Sequence, residues 1–229
     1  TNGDLKYAKW TGSGWSIETV DSTGDVGRWT AIALDSNGYP HISYNDWSNG
    51  DLKYAKWTGS GWNIETVDVG GSDDKWTAIV LDTNNYPHIS YCGYYSINSY
   101  LKYAKWTGSN WSIEIVDRCD ITGVYLGIHT SIALDSMGYP HISYYDDGNS
   151  ALKYAKWDGS SWNIQNVDGA GNVGKYTCIY LDTSTYAHIS YYDEGNGDLR
   201  APHILRRSAL ACRGKLPRSL RRSLLLRKG

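Results

Sequence analysis

The sequence contains no phenylalanine, one methionine, five prolines and four cysteines among its 229 residues. Without Phe, every aromatic ring belongs to one of 11 Trp or 20 Tyr, and each carries a polar edge. Such rings suit surfaces packed on one side and wet on the other. The four cysteines, at 92, 119, 178 and 212, make no disulfide framework, and no C-x-x-C pair offers a structural zinc site. No apolar stretch approaches the roughly 18 residues of a membrane span. Helix-period patterning is absent from residues 1–198. The chain begins without Met and inside a repeat, so the lack of a signal peptide excludes no compartment.

The charges are segregated. No acid follows Asp198, and the last 31 residues hold 10 of the 22 Lys and Arg. Residues 1–198 hold 24 Asp and Glu against 12 Lys and Arg, a formal charge of −12. An acidic body argues against nucleic acid as a partner.

Repetition fills this acidic body. "DLKYAKWTGSGW" opens at Asp4 and again at Asp51, with close copies from Tyr100 and Ala151. Leu5, Leu52, Leu101, Leu152 and Leu199 are spaced 47, 49, 51 and 47 residues apart. A period of this size marks a solenoid or propeller. Within the unit from Thr30, the runs 30–35, 41–46, 52–57 and 62–68 have strand length and strand periodicity. In the second run, Ile42 and Tyr44 are expected on one face and His41 and Ser43 on the other. "DSNG" at 35–38 and "TGSG" at 58–61 supply tight turns. The reading is an all-β propeller with four blades, each a four-stranded antiparallel meander. Three whole blades cover 30–68, 77–117 and 130–168. The fourth is expected to be shared, with outer strands from the N-terminus (5–10, 15–21) and inner strands from 177–182 and 188–193. The alternative is a piece of a propeller with more blades. Domain 1–198 is thus the repeat, and 199–229 is a basic tail. The tail reads as a disordered or amphipathic segment, or as the product of a shifted reading frame in a fifth copy.

Two insertions break the pattern. His88 to Leu101 spans 13 residues where other units have 11, and Asp117 to Thr130 spans 13 where others have 9. They bring Tyr94, Tyr95, Tyr100, Arg118, Asp120, Tyr125 and His129 to one end of the second whole blade, expected as loops on a rigid scaffold. Cys92 and Cys119 lie here too, and only geometry decides whether they pair. Cys178 stands where other units have Ala or Ser and reads as a small core residue.

Four histidines recur, His41, His88, His141 and His188. Their strand is second from the axis, so they are expected to bond within their blades and not to converge on a metal. No cofactor is expected; calcium enters only through the acidic turns 46–51, 146–150 and 193–198, which lack EF-hand spacing. No G-x-S-x-G elbow or phosphate loop is present. The pairs Trp10/Trp15, Trp57/Trp62, Trp106/Trp111 and Trp157/Trp162 flank the turns and are the main ligand-binding candidates, with Tyr94, Tyr95, Arg118 and Tyr125. Trp and Tyr faces stack on sugar C–H surfaces, and repeated sites add avidity. The competing role for the Trp pairs is to staple each hairpin and fill space between blades.

Units such as "IALDSNGYPHISYNDWSNGDLKYAKW" (32–57) resemble those of sialidase-like (BNR-type) and NHL-type propellers, across residues 1–199. Propeller lectins are similar in plan. The Asp box S-x-D-x-G-x-x-W is unmatched, and the body has only Arg28 and Arg118 where sialidase chemistry needs three arginines. The resemblance implies the fold and not that chemistry. The expected function is a non-catalytic, lectin-like module for carbohydrate or glycoconjugate, secreted or at the cell surface. A structural or protein-interaction propeller, from a larger surface or secreted protein, is the alternative. A degenerate glycoside hydrolase is a third reading.

Overall fold

The computed structural model describes residues 3–70, 75–95, 98–119, 126–196 and 198–200, and all its regular elements are strands. A hairpin, β1 (Leu5–Trp10) and β2 (Trp15–Asp21), comes first. The first full blade is β3 (Val26–Leu34), β4 (Pro40–Asp46), β5 (Asp51–Trp57) and β6 (Trp62–Asp68). The second is β7 (Lys75–Leu81), β8 (Pro87–Tyr95), β9 (Asn98–Trp106) and β10 (Trp111–Cys119). The third is β11 (Leu126–Leu134), β12 (Pro140–Asp146), β13 (Ala151–Trp157) and β14 (Trp162–Asp168). A fourth begins with β15 (Val173–Leu181), β16 (Ala187–Asp193) and β17 (Asp198–Arg200). Every pairing is antiparallel between sequence neighbours, which is the meander expected of propeller blades.

The core lies between blades. Tyr54, Leu52 and Val67 of the first blade meet Ile89, Tyr91 and Ala104 of the second. Tyr103, Leu101 and Val116 then meet Ile142, Tyr144 and Ala155 of the third. The expected alternation in the second strand is therefore hidden. All seven residues of β4 and of β12 are buried, because each blade is covered on both faces.

Two polar links recur in each blade junction. The last aspartate of one outer strand accepts a hydrogen bond from a tyrosine two strands into the next blade. Tyr44 donates to Asp21 at 2.8 Å, Tyr91 to Asp68 at 2.7 Å, Tyr144 to Asp117 at 2.7 Å and Tyr191 to Asp168 at 2.7 Å. A lysine joins the same carboxylate: Lys53 on Asp21 (2.6 Å), Lys102 on Asp68 and Lys153 on Asp117 (3.1 Å). Nearer the axis, threonine meets serine across the junction: Thr77 with Ser43 (2.5 Å), Thr130 with Ser90 (2.8 Å) and Thr177 with Ser143 (2.8 Å).

Three expectations need correction. First, the chain ends do not share a blade. Among the described residues β1 pairs only with β2, and β17, the start of the fifth copy, takes the edge of β16 that β1 was expected to fill. The chain's own continuation reaches that edge with no long closure. The inner strands pack in series, β3 on β7, β7 on β11, β11 on β15. Ile132 and Ile179 are buried, each with an inner strand before it, whereas among the described residues no inner strand precedes β3 and Ile32 is 54% exposed. Second, the described residues of the insertions are strand and not loop. They extend the ladder, with Tyr94 opposite Ser99, Tyr95 opposite Asn98 and Arg118 opposite Tyr100. Added residues that can pair satisfy their backbone groups in the sheet. Third, Cys178 is half-buried and disulfide-bonded. Tyr125, Asp120 and the tail from residue 201 lie outside the described residues.

Candidate functional site

The histidines bond within their blades, as expected. His41 Nδ1 is 2.5 Å from the Tyr54 hydroxyl, His88 2.5 Å from Tyr103 and His141 2.6 Å from Tyr154. With the tyrosine donating to Nδ1, each Nε2–H faces a carboxylate: Asp35 at 3.8 Å, Asp82 at 3.7 Å and Asp135 at 3.6 Å. Burial, helped by Lys56 and Lys105, pushes His41 and His88 down to about 4, so both are neutral at pH 7. The acidic turns are occupied by their own chain: Asp46, Asp146 and Asp193 each bind the main chain and side chain of an asparagine three residues on. Among the described residues, no three His, Cys, Asp or Glu side chains are placed to hold a metal ion.

The tryptophan pairs divide into two roles. Partners face each other across the end of the hairpin, edge to face, with centroids 5.5 to 5.7 Å apart. The second member turns into the preceding unit. Trp62 packs edge-on to Tyr7, Trp111 to Tyr54 and Trp162 to Tyr103, at 5.3 to 5.4 Å. Trp111 and Trp162 also donate Nε1–H to Glu65 (3.1 Å) and Glu114 (3.0 Å) of the blade before. These are the packing residues. Trp10 and Trp15, on the leading hairpin, are mostly exposed at 54% and 66%.

The first members line open clefts between blades. One cleft, of 480 Å³, runs between the first and second blades, and one of 650 Å³ between the second and third. They are built alike. One wall carries Asp35, Tyr54, Lys56 and Glu65, or their equivalents Asp82, Tyr103, Lys105 and Glu114. The other wall carries Tyr86, Pro87 and Trp106, or Tyr139, Pro140 and Trp157. Local sequence explains the build. The "TGS" and "DGS" hairpins let the chain turn at Gly108 and Gly159 (φ +99° and +101°), and there the Tyr86 and Tyr139 hydroxyls come within 3.0 and 2.8 Å of where a Cβ would sit. Each cleft thus sets an aromatic wall opposite a lysine and two carboxylates. Asp35 and Asp135 are held below the usual carboxylate range: burial opposes this, but backbone N–H groups and the facing histidines outweigh it.

Of the expected site residues, Trp57, Trp106 and Trp157 reach these clefts, whereas Trp62, Trp111 and Trp162 go to the blade junctions. Tyr94 and Arg118 lie at the opposite end of the blades from the Trp turns, as the strand order requires. Arg118 stands 5.9 Å over the Tyr100 ring. Tyr95 is paired with Asn98 in the backbone ladder. Sequence reading missed the cleft residues Lys56, Glu65, Tyr86 and Asp82. Their signal was present, since each recurs at one repeat position, but it looks the same as the signal of a structural residue.

No protein-family model matches this chain, and no curated protein sequence matches it. Solved structures do. The SapL1 lectin, in complex with alpha methyl fucoside, has a TM-score of 0.54 at 14% identity, with 89% of this chain and 74% of that one covered. A family PL25 ulvan lyase bound to a GlcA(1-4)Rha3S unit gives 0.51 at 12% identity, over 81% and 57%. A thermostable family-43 glycoside hydrolase gives 0.51 at 10%, over 80% and 74%. At such identities the likeness is one of fold, and the fold this chain shares is the propeller that lectins and polysaccharide-cleaving enzymes both use.

Proposed function

We propose that this protein is a non-catalytic carbohydrate-binding propeller that takes sugar units in the clefts between neighbouring blades. The observation that carries the reading is the repetition of one cleft: a Trp and a Tyr on one wall, Lys, Glu and Asp on the other. The ring face of Trp106 or Trp157 accepts the C–H face of a pyranose. Lys56 or Lys105 donates to hydroxyls and the carboxylates accept from them. Repeated weak sites suit a multivalent glycan, and the reading places the protein outside the cell, where glycans are displayed.

The test is a glycan array with free-sugar competition, using the full chain and methyl fucoside among the competitors. Specific, competable binding is expected. Trp106→Ala and Trp157→Ala should each empty one cleft, and the double change should lower avidity by about a hundredfold or more. A blank array from folded protein would instead favour the structural or protein-interaction propeller. Turnover of a fluorogenic aryl glycoside would favour the enzyme.

A further inference from the structure

At the end of the blades opposite these clefts, a second feature repeats. The residue before each junction threonine is aromatic: Trp29, Trp76, His129 and Tyr176. Each sits in a bulge where the inner strand breaks register with its neighbour, between Arg28 and Ala31, Lys75 and Ala78, Ile128 and Ser131, and Lys175 and Cys178. All four have left-handed backbones, with φ of 48°, 52°, 55° and 54°. A bulky side chain there is strained, and strain of this kind gathers at ligand clamps. The strain is used to turn four rings into one row. Trp29 lies 5.4 Å from Trp76, Trp76 5.4 Å from His129, and His129 4.2 Å from Tyr176.

The rings line an open cavity of 290 Å³, together with Thr30, Thr77 and Thr130. None of its described lining residues bears a carboxylate, guanidinium or ammonium group. The Thr77 and Thr130 hydroxyls are already bonded to Ser43 and Ser90 across the junctions. With those two hydroxyls engaged, the dominant feature of the lining is its aromatic faces: two indoles, an imidazole and a phenol. A group that gains from ring faces without needing hydrogen bonds is a substituted ammonium ion. The acidic body, at −12, favours a cation over an anion or neutral ligand. Of the basic residues that precede collar rings and whose side chains are described, Arg28 is paired with Asp25 and Lys175 with Glu194. At the margin a cation already sits on a ring, with the Arg28 guanidinium 4.4 Å from the Trp47 centroid.

We propose that this aromatic collar is a second binding site, distinct from the clefts, for a quaternary or methylated ammonium group. The test titrates the full chain with choline and with its uncharged isostere 3,3-dimethylbutan-1-ol, by calorimetry and tryptophan fluorescence. Saturable choline binding is expected, at least tenfold tighter than the isostere. Trp76→Leu should weaken it at least tenfold and Trp76→Phe less, while Trp106→Ala leaves it unchanged. Should Trp76→Leu prove misfolded by circular dichroism, Tyr176→Leu takes its place, and the isostere comparison needs no variant. Absence of a saturable choline signal overturns the proposal. So does equal binding of choline and isostere, insensitivity to Trp76→Leu, or displacement of choline by a monosaccharide.

Discussion

Lowering the pH from 7.5 to 4.5 is expected to strip several kcal/mol of stability from this protein. His41 and His88 are fully buried, and burial holds them at about 4 in the fold against 6.5 when unfolded. The unfolded chain therefore takes up protons first. The full contribution is present above 6.5, is lost as pH falls from 6.5 towards 4, and is constant below that. A shift of that size corresponds to roughly 3 kcal/mol for each histidine, as an order of magnitude. His141 is lowered too, chiefly by burial, and adds to the loss with the same sign. Asp35 and Asp135 are lowered below their ordinary 3.8, so their contribution disappears only at lower pH. Urea denaturation at half-unit intervals of pH would read the slope directly. His41→Asn and His88→Asn keep an acceptor for Tyr54 and Tyr103 but do not titrate, so the double variant should show a much flatter profile. A wild-type stability independent of pH between 7.5 and 4.5 would refute the assignment.

Asp117→Ala should be among the most damaging single changes in the chain, by roughly 3 kcal/mol. The carboxylate joins the second blade to the third. It accepts from Tyr144 at 2.7 Å and Lys153 at 3.1 Å. Tyr144 is fully buried, and without Asp117 its hydroxyl loses the partner that made burial tolerable. Lys153 keeps Asp146 at 2.8 Å, which limits the loss. For a chain of this size the melting temperature should fall by about 6–12 °C. Asp117→Asn retains an acceptor and should cost about half as much. A double-mutant cycle with Tyr144→Phe should give a coupling of about 1–2 kcal/mol. A coupling near zero would mean that this hydrogen bond adds nothing to the packing between the second and third blades.

Individual residues show how much of this was legible beforehand. The strands and turns around Leu52, Tyr54 and Trp57 were readable because alternation and Gly-containing turns are local properties of the chain. That the histidines would bond within their own blades was readable because the meander dictates the strand order, but their partners Tyr54, Tyr103 and Tyr154 were not. The division of labour between Trp57 and Trp62 was not. Both flank one turn, and only the neighbouring blade makes one a wall and the other a staple. Tyr94 and Arg118 were expected on loops, since an added length of chain gives no sign of whether it will pair or protrude.

Repetition in the amino-acid order was enough to specify the blade, its period, its turns and the propeller class. These follow from backbone sterics and from side-chain alternation within some fifty residues. The clefts, the Asp–Tyr–Lys junctions and the collar depend on what the next blade presents. The junction bonds and collar contacts join residues from 23 positions apart (Asp21 and Tyr44) to 53 (Trp76 and His129) across a packed interface. A single repeat cannot reveal which of its recurring side chains will meet a neighbour and which will be left facing water.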